Sequence, residues 1–155
     1  MIYLAEHFLG ERVTSVQAQM GTLAHDIDIE DTVFVTMRHE KGAFTSFQCA
    51  WSIVAGLGAA MLVNEVHAAG GSIRFDHDSA PVATIRPGDD DWETLGVPEE
   101  RPDDAGFYAF LRCFLRALDR GQSLPGSADD ARHIMAVIDA AYESAKTGMA
   151  VTPCQ

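Results

Sequence analysis

Two places in the chain set an imidazole beside carboxylates: His25 with Asp26 and Asp28, and His77 between Asp76 and Asp78. Such groups could hold a divalent metal weakly. None of the six histidines has the H-E-x-x-H spacing that puts two imidazoles on one helix face, so both clusters are read as turns, not metal centres. His67 alternates with apolar neighbours on a strand pattern and is read as a half-buried, hydrogen-bonded histidine. Gly56-Leu57-Gly58-Ala59-Ala60-Met61 has the outline of a dinucleotide fingerprint, but Met61 stands where a third small residue is needed. The string also lies between strand patterns instead of opening a helix, so it is read as a loop. Gly70-Gly71-Ser72-Ile73-Arg74 lacks the closing glycine of a nucleophile elbow and leads into a strand. Residue types and spacing alone therefore assign no catalytic residue and no metal ligand.

The elements that must position any site follow from hydrophobic period and turn residues. Residues Ile2 to Leu9 fit a short helix, which Gly10 stops. Val13 to Ala18 reads as a strand. Asp31 to His39 and Ala43 to Ile53 read as a hairpin around Glu40-Lys41-Gly42, where glycine supplies the positive φ. Ala60 to Ala68 and Ser72 to Phe75 form a second strand pair around Gly70-Gly71, and Pro81 to Ile85 adds a short edge strand.

Beyond an acidic stretch running from Asp89 to Asp104 the period changes. Phe107, Phe110, Leu111, Phe114, Leu115 and Leu118 lie on one helical stripe, which Gly121 ends. That stripe and Trp51 are read as core instead of as a platform for substrate. A last helix runs from an N-cap at Ser127, with Asp130 three residues on, to Gly148. Strands followed by helices predict an α+β domain over residues 1–155: an open, mostly antiparallel sheet of about five to six strands with helices on one face.

Composition narrows the partners. The formal net charge of −12 over 155 residues argues against nucleic acid, which needs basic patches. The acidic stretch lacks EF-hand spacing and is read as a solvated loop. No apolar run reaches the roughly 18 residues of a membrane span, and no secretory signal is visible. Cys49, Cys113 and Cys154 form no C-x-x-C pair, which suits a reducing, cytoplasmic setting.

Several strings, in order, resemble one family. Met1-Ile2-Tyr3-Leu4-Ala5-Glu6-His7-Phe8-Leu9-Gly10-Glu11, followed by Val13 and Val16, is similar to a helix ending in a leucine–glycine pair before the first strand of a second domain. The hairpin around Lys41-Gly42-Ala43 leads to Trp51, and Glu65-Val66-His67-Ala68-Ala69-Gly70-Gly71-Ser72-Ile73 looks like a strand with its glycine turn. The end carries Leu124-Pro125-Gly126-Ser127-Ala128-Asp129-Asp130-Ala131 and then Ala140-Ala141-Tyr142-Glu143-Ser144-Ala145-Lys146-Thr147-Gly148. Together these resemble the C-terminal domain of the glucose–fructose oxidoreductase / inositol dehydrogenase (Gfo/Idh/MocA) family across nearly the whole chain.

The resemblance implies an N-terminal Rossmann domain that binds NAD or NADP, a polyol substrate such as a sugar or cyclitol, and homodimerisation through the open sheet. It implies a chain that lacks its cofactor domain and the catalytic lysine carried there. The family's catalytic histidine falls about one residue ahead of Met1, and an aspartate three residues past it falls on Tyr3. Tyr3 is therefore a substrate-contact position. A phenol, with a reference pKa of about 10, cannot stand in for a carboxylate near neutral pH. Side chains alone cannot supply hydride transfer, so the expected function is that of a substrate-side and dimerisation domain, inactive alone and binding no cofactor itself. The strand face of Phe44, Ser46, Gln48 and Ala50 suits a dimer burying on the order of 1,500 Å². Two other readings stay open: a free-standing non-enzymatic module for a small ligand or protein, and a small α+β isomerase or hydrolase using His and Asp.

Overall fold

The computed structural model describes residues 1–51, 63–76, 83–95, 105–124 and 126–154. Its elements run α1 (Ile2–Leu9), β1 (Val13–Gly21), β2 (Thr32–His39), β3 (Phe44–Ala50), β4 (Val63–Ala68), β5 (Gly71–Asp76), β6 (Ala83–Ile85), β7 (Glu93–Thr94), α2 (Ala105–Asp119) and α3 (Ala128–Thr147). The α+β class stands. The strands, expected in one open sheet, form two hydrogen-bonded sheets among the described residues, ordered β1-β2-β3 and β4-β5-β6-β7. The chain divides into two compact units, Met1–Ile53 with Arg112–Gln155, and Val54–Leu111.

In the first unit, β2 is the central strand, antiparallel to both neighbours, with Val35 opposite Ala18 and Phe47. Its burial alternates residue by residue, so Val35 and Met37 face inward while Phe34 and Thr36 face solvent. The buried face meets α3: Val13, Val16, Ala18, Val35 and Met37 cluster with Val137, Ala140 and Ala141. The two alanines are small enough to bring α3 close to the sheet. Val16 and Val137 are fully buried, and such burial stabilises by roughly 1.5–3 kcal/mol per side chain.

One antiparallel bridge joins Val151 to the outer edge of β1. Val16 and Val151 exchange both backbone hydrogen bonds, at 2.9 and 2.8 Å. Ser144 Oγ accepts from the Ala18 amide at 3.0 Å and donates to the Met149 carbonyl at 2.6 Å, so a buried hydroxyl takes both of its roles. At its start α3 has the predicted cap. Ser127 Oγ accepts from the Asp130 amide, and Asp130 reaches back to the Ser127 amide. This reciprocal box satisfies two donors that the first helical turn leaves free.

In the second unit, β4 and β5 pair across Gly70-Gly71, with Glu65 opposite Arg74 and His67 opposite Ser72. Gly71 has φ +137°, and a Cβ there would sit 2.5 Å from the Ile85 carbonyl oxygen, so only glycine lets β6 approach. The described part of the expected edge strand is β6, over Ala83–Ile85, and β7 lies beyond it, drawn from the acidic stretch whose sequence reads as loop.

Two core expectations fail. Trp51 is 68% exposed: it lies one residue past the end of β3, where its amide continues the β2–β3 register by donating to the Asp31 carbonyl at 2.7 Å. On α2 the periodicity is real, but Phe107, Leu115 and Leu118 are exposed, while Ala117 is buried. Helical spacing reports a face, and it does not report what covers that face.

Candidate functional site

Helix α1 carries the one contact residue expected from sequence. Tyr3 and His7 are one helical turn apart and stack, with ring centroids 6.1 Å apart and planes at 17°. Tyr3 Oη accepts from the Gly126 amide at 3.1 Å, which fixes the phenol against the loop before α3. Gly10 ends α1 with φ +62°, and the chain turns at once into β1. Around this turn lies an open hollow of about 440 Å³, lined by Tyr3, Glu6 and His7 of α1, Gly10, Glu11 and Arg12 after it, Glu40 of the hairpin turn and Asp130 of α3. That volume is in the range of small-molecule sites.

Most of the hollow's carboxylates are already engaged. Glu6 Oε1 accepts from the Val13 amide and from His133 Nε2, each at 2.8 Å. Because a carboxylate can only accept, the His133 proton is assigned to Nε2, leaving buried Nδ1 without a partner among the described residues. Arg12 Nη2 bridges Asp129 at 3.0 Å and Asp130 at 3.3 Å. Asp129 also accepts from Arg132, and these two guanidiniums, Arg132 before Arg12, hold its carboxyl below the usual range. Glu11 accepts from the Lys41 amide at 2.8 Å. What remains is a fixed aromatic pair beside a rim of carboxylate oxygens with one guanidinium. A ring face with many acceptors suits a ligand that carries C–H faces and several hydroxyls.

The other sequence candidates lie elsewhere. His25 belongs to a turn, as expected, but the organising group there is Asp31, which sequence reasoning missed. Its buried carboxylate accepts from the amides of Leu23, Ala24 and His25 at 2.8–2.9 Å, from Thr32 Oγ1 at 3.0 Å, and pairs with His25 Nδ1 at 3.1 Å. These bonds, the Leu23 amide foremost, hold its pKa far below the carboxylate norm, although burial opposes them. Only its place at the loop's end, next to β2, distinguishes Asp31 from Asp26 and Asp28. His67 is hydrogen-bonded as expected, but its side chain is exposed, not half-buried. His77 and the Gly56–Met61 string lie outside the described residues. Cys49, Cys113 and Cys154 are all unpaired and exposed.

Residues 1–74 match the GFO/IDH/MocA C-terminal domain. That match covers just under half of the chain. No curated protein matches. Solved structures carry the likeness across the remainder of the chain as a likeness of fold. A levoglucosan dehydrogenase in complex with NADH and levoglucosan aligns at TM-score 0.85 and 20% identity, over 99% of this chain and 48% of that one. An oxidoreductase domain protein from Kribbella flavida aligns at TM-score 0.84 and 15% identity, over 99% and 48%. An oxidoreductase from Agrobacterium radiobacter in complex with NAD+, L-tartaric acid and magnesium aligns at TM-score 0.77 and 20% identity, over 97% and 46%. The chain therefore spans about half the length of the structures it matches. Within this GFO/IDH/MocA segment lie α1, Tyr3 and every lining residue of the hollow except Asp130. No helix among the described residues is long and apolar enough to cross a membrane.

Proposed function

We propose that this chain is the substrate-side and dimerisation domain of a cytoplasmic NAD(P)-dependent oxidoreductase acting on a sugar, cyclitol or similar polyol, and that it does not turn over alone. The observation that carries the reading is the alignment of the chain with about half of a levoglucosan dehydrogenase, beginning with a segment of GFO/IDH/MocA type. The hollow beside Tyr3 is the polyol subsite. Tyr3 and His7 offer a ring face, and the carboxylate rim accepts hydroxyl protons.

The residues at hand do not fit a dinucleotide. A Rossmann site needs parallel strands with a glycine turn opening a helix, and every strand pair among the described residues is antiparallel. On this reading NAD or NADP is held by polypeptide beyond these residues, in the same chain or a separate one, and brings the hydride acceptor. This chain's part is to orient the hydroxyl-bearing carbon and exclude water. Tyr3 does so without acting as a base.

Titrating the 155-residue chain with NADH, and separately with a panel of polyols, tests this assignment. Polyols should raise the melting temperature, Tyr3→Ala should weaken that binding at least tenfold, and NADH fluorescence should not change. Tight NADH binding, or polyol binding indifferent to Tyr3→Ala, would overturn it. Pairing is expected through the solvent face of β1-β2-β3, where Gln17, Gln19, Phe34, Thr36, Ser46 and Gln48 surround a shallow depression. Sedimentation at micromolar concentration should give a dimer that Phe34→Glu dissociates. A monomeric wild type would remove the dimerisation role.

A further inference from the structure

We propose that Ser72, His67 and Glu65 form a second, independent reactive site: a serine nucleophile with an imidazole base and an orienting carboxylate, open to small activated acyl esters. Strand register brings them together. His67 lies opposite Ser72 and Glu65 opposite Arg74 on antiparallel β4 and β5, and alternation puts all four side chains on one face.

The distances form an unbroken relay. Ser72 Oγ lies 2.7 Å from His67 Nδ1, and His67 Nε2 lies 3.3 Å from Glu65 Oε2. Glu65 accepts from Arg74 Nε through its other oxygen, and the Arg74 guanidinium lies over the Trp92 ring, 4.4 Å from its centroid. The roles follow from which groups can donate. Arg74, first by its hydrogen bond and then by its charge, keeps the Glu65 carboxyl below its usual range, so Glu65 is an acceptor only. The His67 proton is therefore assigned to Nε2. Nδ1 is left unprotonated, and it can only accept from the Ser72 hydroxyl. That tautomer is the one a general base needs, with the base held by a third group. Sequence excluded a strand-to-helix elbow at Ser72. The same relation between groups arises here from a hairpin register that no short string encodes.

Access is open. The His67 side chain is 63% exposed. In the reaction, the Ser72 oxygen–carbonyl carbon bond forms as the ester's bond to its leaving oxygen breaks. The serine proton passes to His67 Nδ1 and from there to the leaving alkoxide or phenoxide. Water then adds to the acyl-serine by the same route, releasing a carboxylic acid and restoring Ser72. None of these residues belongs to the hollow beside Tyr3.

The test is to incubate the full 155-residue chain with p-nitrophenyl acetate, and separately with a fluorophosphonate probe mapped by peptide mass. The probe should attach at Ser72. Ser72→Ala and His67→Gln should each lower p-nitrophenolate release at least tenfold, and Glu65→Gln should lower it less, all with unchanged melting curves. Release at the wild-type rate from folded Ser72→Ala or His67→Gln, or a wild-type chain with no label on Ser72, would overturn the proposal. If a variant fails to fold, the labelling position on the wild-type chain decides.

Discussion

Met37→Ala is expected to destabilise the first unit by about 3 kcal/mol, within the roughly 2–5 kcal/mol typical of such truncations. Met37 lies on the central strand, is 1% exposed, and belongs to the cluster that joins β1 and β2 to α3. Removing its thioether leaves a void between a sheet and a helix that cannot both collapse into it. Urea denaturation followed by circular dichroism reads the effect as a lower midpoint with an unchanged slope. Phe34→Ala is the control. It is a larger truncation on the same strand, but it points outward and is 48% exposed, so it should cost far less in a monomeric preparation. Equal losses from the two would mean that the inner and outer faces of β2 are reversed.

Asp31→Asn is expected to unfasten the loop between β1 and β2 and to remove one acid-sensitive contribution to stability. The native carboxylate is held far below its ordinary pKa by three backbone amides and Thr32. A carboxyl depressed on folding stabilises fully above its unfolded pKa of about 3.9, and that contribution is lost as pH falls toward the folded value. Wild type should therefore lose stability steeply below about pH 4. In Asp31→Asn the slope of stability against pH should fall by about one bound proton per molecule across that range. The variant should also be less stable at neutral pH, because an amide cannot accept the same set of donors. Hydrogen exchange at the Leu23, Ala24 and His25 amides provides the local readout. Unaltered protection there, with an unaltered acid limb, would show that Asp31 does not organise the loop.

Most elements were legible because each carries a local physical mark. Gly10 and Gly148 stop helices in left-handed conformations, Ser127 with Asp130 caps α3, and Glu40-Lys41-Gly42 turns a hairpin. The family strings were legible for the same reason, being short and contiguous. What sequence missed depends on partners far along the chain. The α2 stripe is helical, but periodicity cannot tell whether another element covers it. Trp51 continues the alternation of a core strand, but it lies one residue past the end of β3 and is exposed. His133 pairs with Glu6 across 127 positions, and no spacing within either helix announces it. Among the described residues, the division into two sheets depends on which edges pair, and short β6 and β7 give little pattern to read.

The central claim is that this chain works as half of an oxidoreductase. Immunoprecipitation of the native protein from the cells that make it, followed by sequencing of everything recovered by mass spectrometry, tests that most directly. A dinucleotide-binding sequence should be recovered with it, either within a polypeptide of roughly twice this chain's mass or as a bound partner, since a further domain of about 150 residues is required. Recovery of residues 1–155 alone, at 16.8 kDa and with no dinucleotide-binding companion, would contradict the claim and favour a free-standing binding module.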